Sequence, residues 1–225
     1  VTTSNISFSI NHPRSLKDQT VKDLKESLLH GMATSMMSAR LREKSQDPEA
    51  AFVQARVSYG GFVRAKNQFS VAVYPKPNMQ HTAFKDVMTE VYRAVKFGFT
   101  PAEIERIVAE YTTSYETQIS KLDDKSHGAI ARNIQQNYLE NETLTDITGE
   151  FELAKVIFAS LTPEEVHASF KALYTPNNRT IVVTGVEGNN NLSKEDGAGI
   201  LAAVENDASL TAYEDAFSGQ TLTDG

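Results

Sequence analysis

Two strand-like segments stand back to back in the sequence, with no helical pattern between them. In "AAFVQARVSYGGFVRAKNQFSVAVYPKP", Val53, Ala55, Val57 and Tyr59 alternate, and so do Phe69, Val71 and Val73. That is the period of a half-buried strand. Gly60-Gly61 predicts a bulge or bend in the first strand, and Pro75 and Pro77 end the second. Upstream, "NISFSINH" alternates Ile6, Phe8 and Ile10, and a helical pattern follows from about Lys17 to Glu43. Near the far end, Ile181, Val182 and Val183 run without alternation, as in a strand covered on both faces. The order is strand, helix, two strands, several helices, strand. This is not a regular strand–helix alternation, so it predicts an α+β fold: a mostly antiparallel sheet with helices packed on one face.

The helical stretches carry their own punctuation. Val21, Leu24, Leu28, Met32 and Met36 recur at helical spacing, with Thr20 and Asp23 marking a start. Met32, Met36 and Met37 read as core filler. From Met79 onward, Phe84, Val87, Met88, Val91, Tyr92 and Val95 form a wide apolar stripe that stops at Gly98. Further stripes are Ile104, Ile107, Tyr111, Ile119 and Leu122; then Ile130, Ile134 and Tyr138; then Phe151, Ala154, Ile157, Phe158 and Leu161; then Val166 and Phe170. Two helices open with the same Thr-Pro-x-Glu, at Thr100 and at Thr162. Thr at the N-cap accepts from a backbone N–H that has no helical partner, and Pro gives up a donor that would have had none. Glu at the third helical position reaches back to the cap and suits the positive end of the dipole.

Every stripe finds a place in one domain, residues 1–187. Residues 188–225 turn to Asn, Ser, Gly and Asp, and read as a polar linker or packing arm toward a following half, with a weak helix near Gly199–Val204. The chain begins with Val and ends in a polar "TLTDG", which reads as a piece of something longer.

Composition removes several functions. The net charge of -7 argues against nucleic acid. No apolar segment approaches the roughly 20 residues that span a bilayer, so no membrane insertion is expected. Cysteine is absent, which excludes disulfides, thiolate nucleophiles and cysteine-based metal sites. His12, His30, His81, His127 and His167 lie far apart, and no His-x-x-Glu-His occurs in either orientation. There is no Gly-x-Ser-x-Gly elbow and no Gly-rich phosphate loop. The carboxylate pairs Glu103 with Glu105, Asp123 with Asp124, and Glu164 with Glu165 read as dipole partners or solvated faces. Arg40 and Arg42, with Glu43 and Lys44, sit at a helix end; they either answer the dipole or contact a peptide. No catalytic and no metal-binding residue emerges.

Four pieces, in order, resemble the insulinase-type zinc metallopeptidases (M16), the pitrilysin and mitochondrial-processing-peptidase family. "AFKDVMTEVYRAVKFGFTPAEIERIVAEY" looks like a helix ended by Gly, a Thr-x-x-Glu cap and a long Glu-rich helix. "HGMATSMMSARLRE" looks like the long helix that ends in a small-Arg-Leu motif, here Ala39-Arg40-Leu41. "LTPEEVHASFKALYTPNNRTIVVTGV" looks like the closing helix, tyrosine turn and last strand, and "NISFSINHPR" like the first strand. Together they cover Ile6 to Val186.

The resemblance implies a repeat of an α+β domain. In the family one repeat holds zinc through His-x-x-Glu-His and a downstream Glu, while the others close a chamber around the peptide. This chain has neither histidine of that motif, so it resembles a non-catalytic repeat that takes no cofactor itself; zinc belongs to the parent protein's catalytic domain. The implied partners are the other repeats of the same chain and a peptide or unfolded polypeptide. The implied compartment is the periplasm or cell envelope, with the cytoplasm as the alternative. In substrate-gripping repeats a Tyr follows the small-Arg-Leu motif, with an Arg between; here Phe52 stands near the Tyr position and Ser45 near that Arg. Arg40, Arg42 and Phe52 are therefore the candidate substrate-binding residues. A sheet edge, where exposed, could add a peptide strand. The alternative is a catalytically dead family member that serves as a binding or assembly module.

Overall fold

The computed structural model describes residues 3–14, 20–122 and 146–215, with 128, 131, 135 and 137–139 between them. The elements follow the expected order. They are β1 (Asn5–Pro13), α1 (Val21–Ser45), β2 (Phe52–Val63), β3 (Lys66–Pro75), α2 (Gln80–Phe97), α3 (Pro101–Ser120), α4 (Ile147–Ala159), α5 (Pro163–Leu173), β4 (Arg179–Thr184) and α6 (Lys194–Glu205). The strands form one sheet, ordered β2-β3-β1-β4, and every neighbouring pair is antiparallel.

Alternation sets the two faces of the sheet. Ile6, Phe8, Ile10, Phe69, Val71 and Val73 are fully buried on one face, with Ala55 and Val57 beside them. Against them pack Met32, Met36, Met37 and Leu41 of α1 and Phe84, Val87, Met88 and Val91 of α2. Each such side chain removed from water contributes about 1.5–3 kcal/mol. A smaller cluster of Leu28, Tyr115, Phe151, Ala154 and Ile157 ties α1, α3 and α4 together.

The caps stand as the residues require. Thr20 with Asp23, Thr100 with Glu103, and Thr162 with Glu165 each close a reciprocal capping box. Gly98 ends α2 at φ 77° and ψ -148°, a region that only Gly occupies readily.

Four expectations change. The first is β4, which is not covered on both faces. It is an edge strand whose residues alternate, and Val182 is 54% exposed; a run of apolar residues does not by itself distinguish the two cases. Second, the stretch from residue 188 does not leave the domain within the described residues. Leu192, Leu201 and Val204 join the main core, and the weak helix is a full α6 with Ser193 as its N-cap. Third, β2 carries two register shifts, one between Gly61 and Val63 at the Gly pair as expected, and a further one between Phe52 and Gln54. Fourth, Tyr138 is exposed rather than on an apolar stripe. Lys17, Asp123, Asp124, His127, Ile130, Ile134 and the last ten positions lie outside the described residues.

Candidate functional site

Arg40, the first of the candidate substrate contacts, lies in the last turns of α1 and points inward. Only 4% of it is exposed. Its Nε donates to Glu103 Oε1 at 2.6 Å, and one terminal nitrogen, Nη2, donates to Glu103 Oε2 at 2.8 Å and to the Gly98 carbonyl at 3.0 Å. The guanidinium stacks on the rings of Phe99, at 4.8 Å, and Tyr213, at 4.1 Å. Its other terminal nitrogen, Nη1, is buried and makes no hydrogen bond. A planar fork of donors matches a carboxylate in this way, and such a pair survives burial only when its geometry is good.

Glu103 has a second role in the same place. Its Oε2 also accepts from the Thr100 backbone N–H at 2.7 Å and from the Thr100 hydroxyl at 3.0 Å. One carboxylate thus closes the cap of α3 and holds α1. The twin cap differs: Glu165 is partly exposed, and Lys25 Nζ donates to it at 2.6 Å. Glu103, read from sequence as a dipole partner, is a buried link.

A strap covers this link. Beyond α6, Leu210 is buried and the Thr211 carbonyl accepts from Arg93 of α2 at 2.5 Å. The Tyr213 hydroxyl donates to Glu43 of α1 at 2.9 Å, and Arg106 of α3 pairs with Asp215 at 2.7 Å. Burial and the Glu43 carboxylate push the Tyr213 hydroxyl well above the usual tyrosine range. The Asp215 hydrogen bond raises the Arg106 guanidinium further still.

The three candidate residues do not form one surface. Arg40 is enclosed and serves the fold, which corrects its assignment as a peptide contact. Phe52 is fully buried in the main core, a second correction: without a hydroxyl it packs as any apolar strand residue would. Arg42 is exposed and remains a candidate.

The β2 edge of the sheet is only partly open. Ser38 of α1 donates to the Val57 carbonyl at 3.0 Å, and its oxygen accepts the Val57 N–H at 2.9 Å. One serine thus takes both backbone groups of Val57, and a peptide strand added along β2 would have to displace it. The sheet face opposite the helices is a different surface. Ser58, Ser70, Ser9 and Thr180 align across four strands in one row, and Arg56, Ala72, Ser7 and Val182 in the next. Among the described strand residues it carries hydroxyls and no carboxylate; Ser9 is buried, and the face is open at Arg56, Ser58, Thr180 and Val182.

No protein-family model and no curated protein matches the sequence. Solved structures do. The periplasmic protease PqqL of Escherichia coli superposes with a TM-score of 0.85 at 14% identity, over 99% of this chain and 25% of that one. The first half of PqqL gives 0.84 at 13% identity, over 96% and 46%. The inactive peptidase domain of a putative zinc protease from Bordetella parapertussis gives 0.53 at 11% identity, over 81% and 90%. The fold is that of an M16 peptidase domain. The chain spans about half of the PqqL first half and a quarter of whole PqqL.

Zinc is named for the similar Bordetella parapertussis protein, a putative zinc protease, and the described residues of this chain do not fit a zinc site. The buried residues of α1 are Leu28, Leu29, Met32, Ala33, Thr34, Met36, Met37, Arg40 and Leu41, none of them a zinc ligand of the usual kind, and the helix's one histidine, His30, has its ring against Tyr59. His12 Nε2 lies 3.0 Å from the Leu173 carbonyl, His167 Nε2 2.9 Å from the Val95 carbonyl and His81 Nε2 3.2 Å from Asp196. Among the described residues no three ligands converge.

Proposed function

We propose that this chain is a non-catalytic M16 domain of a zinc metalloendopeptidase, and forms part of the wall of a peptide-enclosing chamber beside the zinc-bearing domain. The observation that carries the reading is the inward face of α1. Its buried residues are apolar except for Thr34 and Arg40, and none is a usual zinc ligand, in a chain whose fold matches about half of the PqqL first half and an inactive peptidase domain.

The open sheet face is the surface best suited to polypeptide. The exposed hydroxyls of Ser58 and Thr180 would meet peptide groups without favouring one side chain, as a chamber wall requires. Arg42 lies at the same end of α1 as the strap and is the remaining candidate contact there. The partners in this reading are the other M16 domains of the parent protein. Its compartment is the periplasm or cell envelope, in keeping with PqqL, which is described as a periplasmic protease.

A photo-crosslinker placed at Ser58, on the open face, and at Glu116, on the helical side, tests this in the parent protein. Crosslinks to a bound peptide from position 58 and none from position 116 are expected. Equal labelling from both positions, or none from 58, overturns the assignment of the face.

A further inference from the structure

We propose that the free end of the β2–β3 hairpin, Gly60 to Lys66, is a docking knuckle for an acidic polypeptide segment that carries an apolar side chain. The register shift between Gly61 and Val63 leaves Phe62 without a cross-strand partner. A bulge of this kind re-aims a side chain, and Phe62 and Val63 are 58% and 52% exposed. Gly60 beside them carries no side chain and has open space around it, so a partner backbone can approach closely there, whereas the Arg14 guanidinium lies against Gly61. Arg64 and Lys66 are exposed on the same tip, and Arg56 is exposed further along β2; none makes an ion pair among the described residues.

The charge pattern chooses the partner. The chain carries a net charge of -7, yet no Asp or Glu occurs in any of the four strands. From Ala50 to Lys85 the sequence has Arg56, Arg64, Lys66, Lys76 and Lys85 and no carboxylate. The hairpin tip is therefore a cationic, partly apolar end on an acidic molecule. Such a surface favours an acidic partner and repels a basic one, while an exposed aromatic supplies the anchor. Ser38 closes the strand edge at Val57, short of this end of β2. The choice of a polypeptide, among anionic partners, rests on the chamber reading above.

Fluorescence anisotropy with two labelled peptides tests the proposal: one of Glu, Gly and Phe, the other of Lys, Gly and Phe. The acidic peptide is expected to bind, and the basic one not. Arg64→Glu with Lys66→Glu is expected to weaken binding about tenfold or more, and added salt to weaken it further. Phe62→Ser is expected to weaken binding while leaving its salt dependence in place. These positions are exposed, and melting curves should match the parent chain. Equal binding of both peptides, or no effect of charge reversal, overturns the proposal. So does binding to phosphatidylglycerol vesicles in place of the peptide, or self-association that the same variants abolish. Crosslinking of a neutral peptide from Ser58 reports on the open face alone. Its loss with acidic-peptide binding intact would reject the chamber wall and spare the knuckle.

Discussion

Arg40 and Glu103 stand 63 positions apart in the chain and meet through two charge-assisted hydrogen bonds in the interior. The pair joins the end of α1 to the start of α3, and Glu103 does so while capping its own helix. Two sequence motifs that look independent are thus one structural device. Glu103→Gln leaves the Arg40 charge buried without its partner, and a loss of about 3–5 kcal/mol is expected in urea unfolding. Glu105→Gln, two positions along and exposed, should stay within about 0.5 kcal/mol. Replacing both partners by apolar residues, Arg40→Met with Glu103→Leu, should cost less than Glu103→Gln alone.

Gly98 tests the backbone. A Cβ there would lie 2.9 Å from His167 Cβ, at φ +77°. Gly188 has a comparable φ of +83° and open space around it. Gly188→Ala should cost about 1–2 kcal/mol from strain alone. Gly98→Ala should cost clearly more, because α2 and α5 must also separate. Chemical denaturation of the two variants side by side gives the comparison.

The strap makes a separate prediction. Tyr213→Phe keeps the ring on Arg40 and loses the bond to Glu43, whereas Tyr213→Ala loses both. The ring is expected to account for about 0.5–2 kcal/mol. Hydrogen exchange in residues 206–215 should quicken strongly in the Ala variant and little in the Phe variant. Equal exchange in both would mean that the stacked ring does not hold the strap.

Acid should weaken the chain through His30. Burial is the main cause that lowers its pKa from 6.5; Glu26 opposes the shift and His12 adds to it. The folded state therefore disfavours the charged ring. The stability this contributes is present above about pH 6.5 and is lost as pH falls through the depressed folded value. His30→Gln should flatten the stability profile below pH 6.5, and an unchanged slope would place the acid sensitivity elsewhere.

Much of the fold was legible because its signals are local. Alternation at Ile6, Phe8 and Ile10, the Thr20, Thr100 and Thr162 caps and the Gly98 stop each depend on a few neighbouring residues. What stayed hidden depends on distance. Nothing near Glu103 distinguishes it from Glu165, since both sit third in a Thr-Pro-x-Glu helix; only Arg40 makes them differ. A serine on a helix gives no hint that Ser38 binds the edge of β2. The apolar run at Ile181 to Val183 suited a buried strand as well as an edge, and the sheet order decided between them. Residues after 188 looked like a linker because their composition is polar, yet Leu192, Leu201, Val204 and Leu210 are enough to seat them.

The chain has the fold of an M16 peptidase domain, and it is proposed to stand, without zinc of its own, beside a zinc-bearing domain. Zinc titration calorimetry of the purified chain tests it most directly. No stoichiometric, submicromolar binding is the expected result, with no cleavage of peptide by the same sample. One zinc bound tightly per chain would contradict the account, and would require ligands that the buried residues of α1 do not provide.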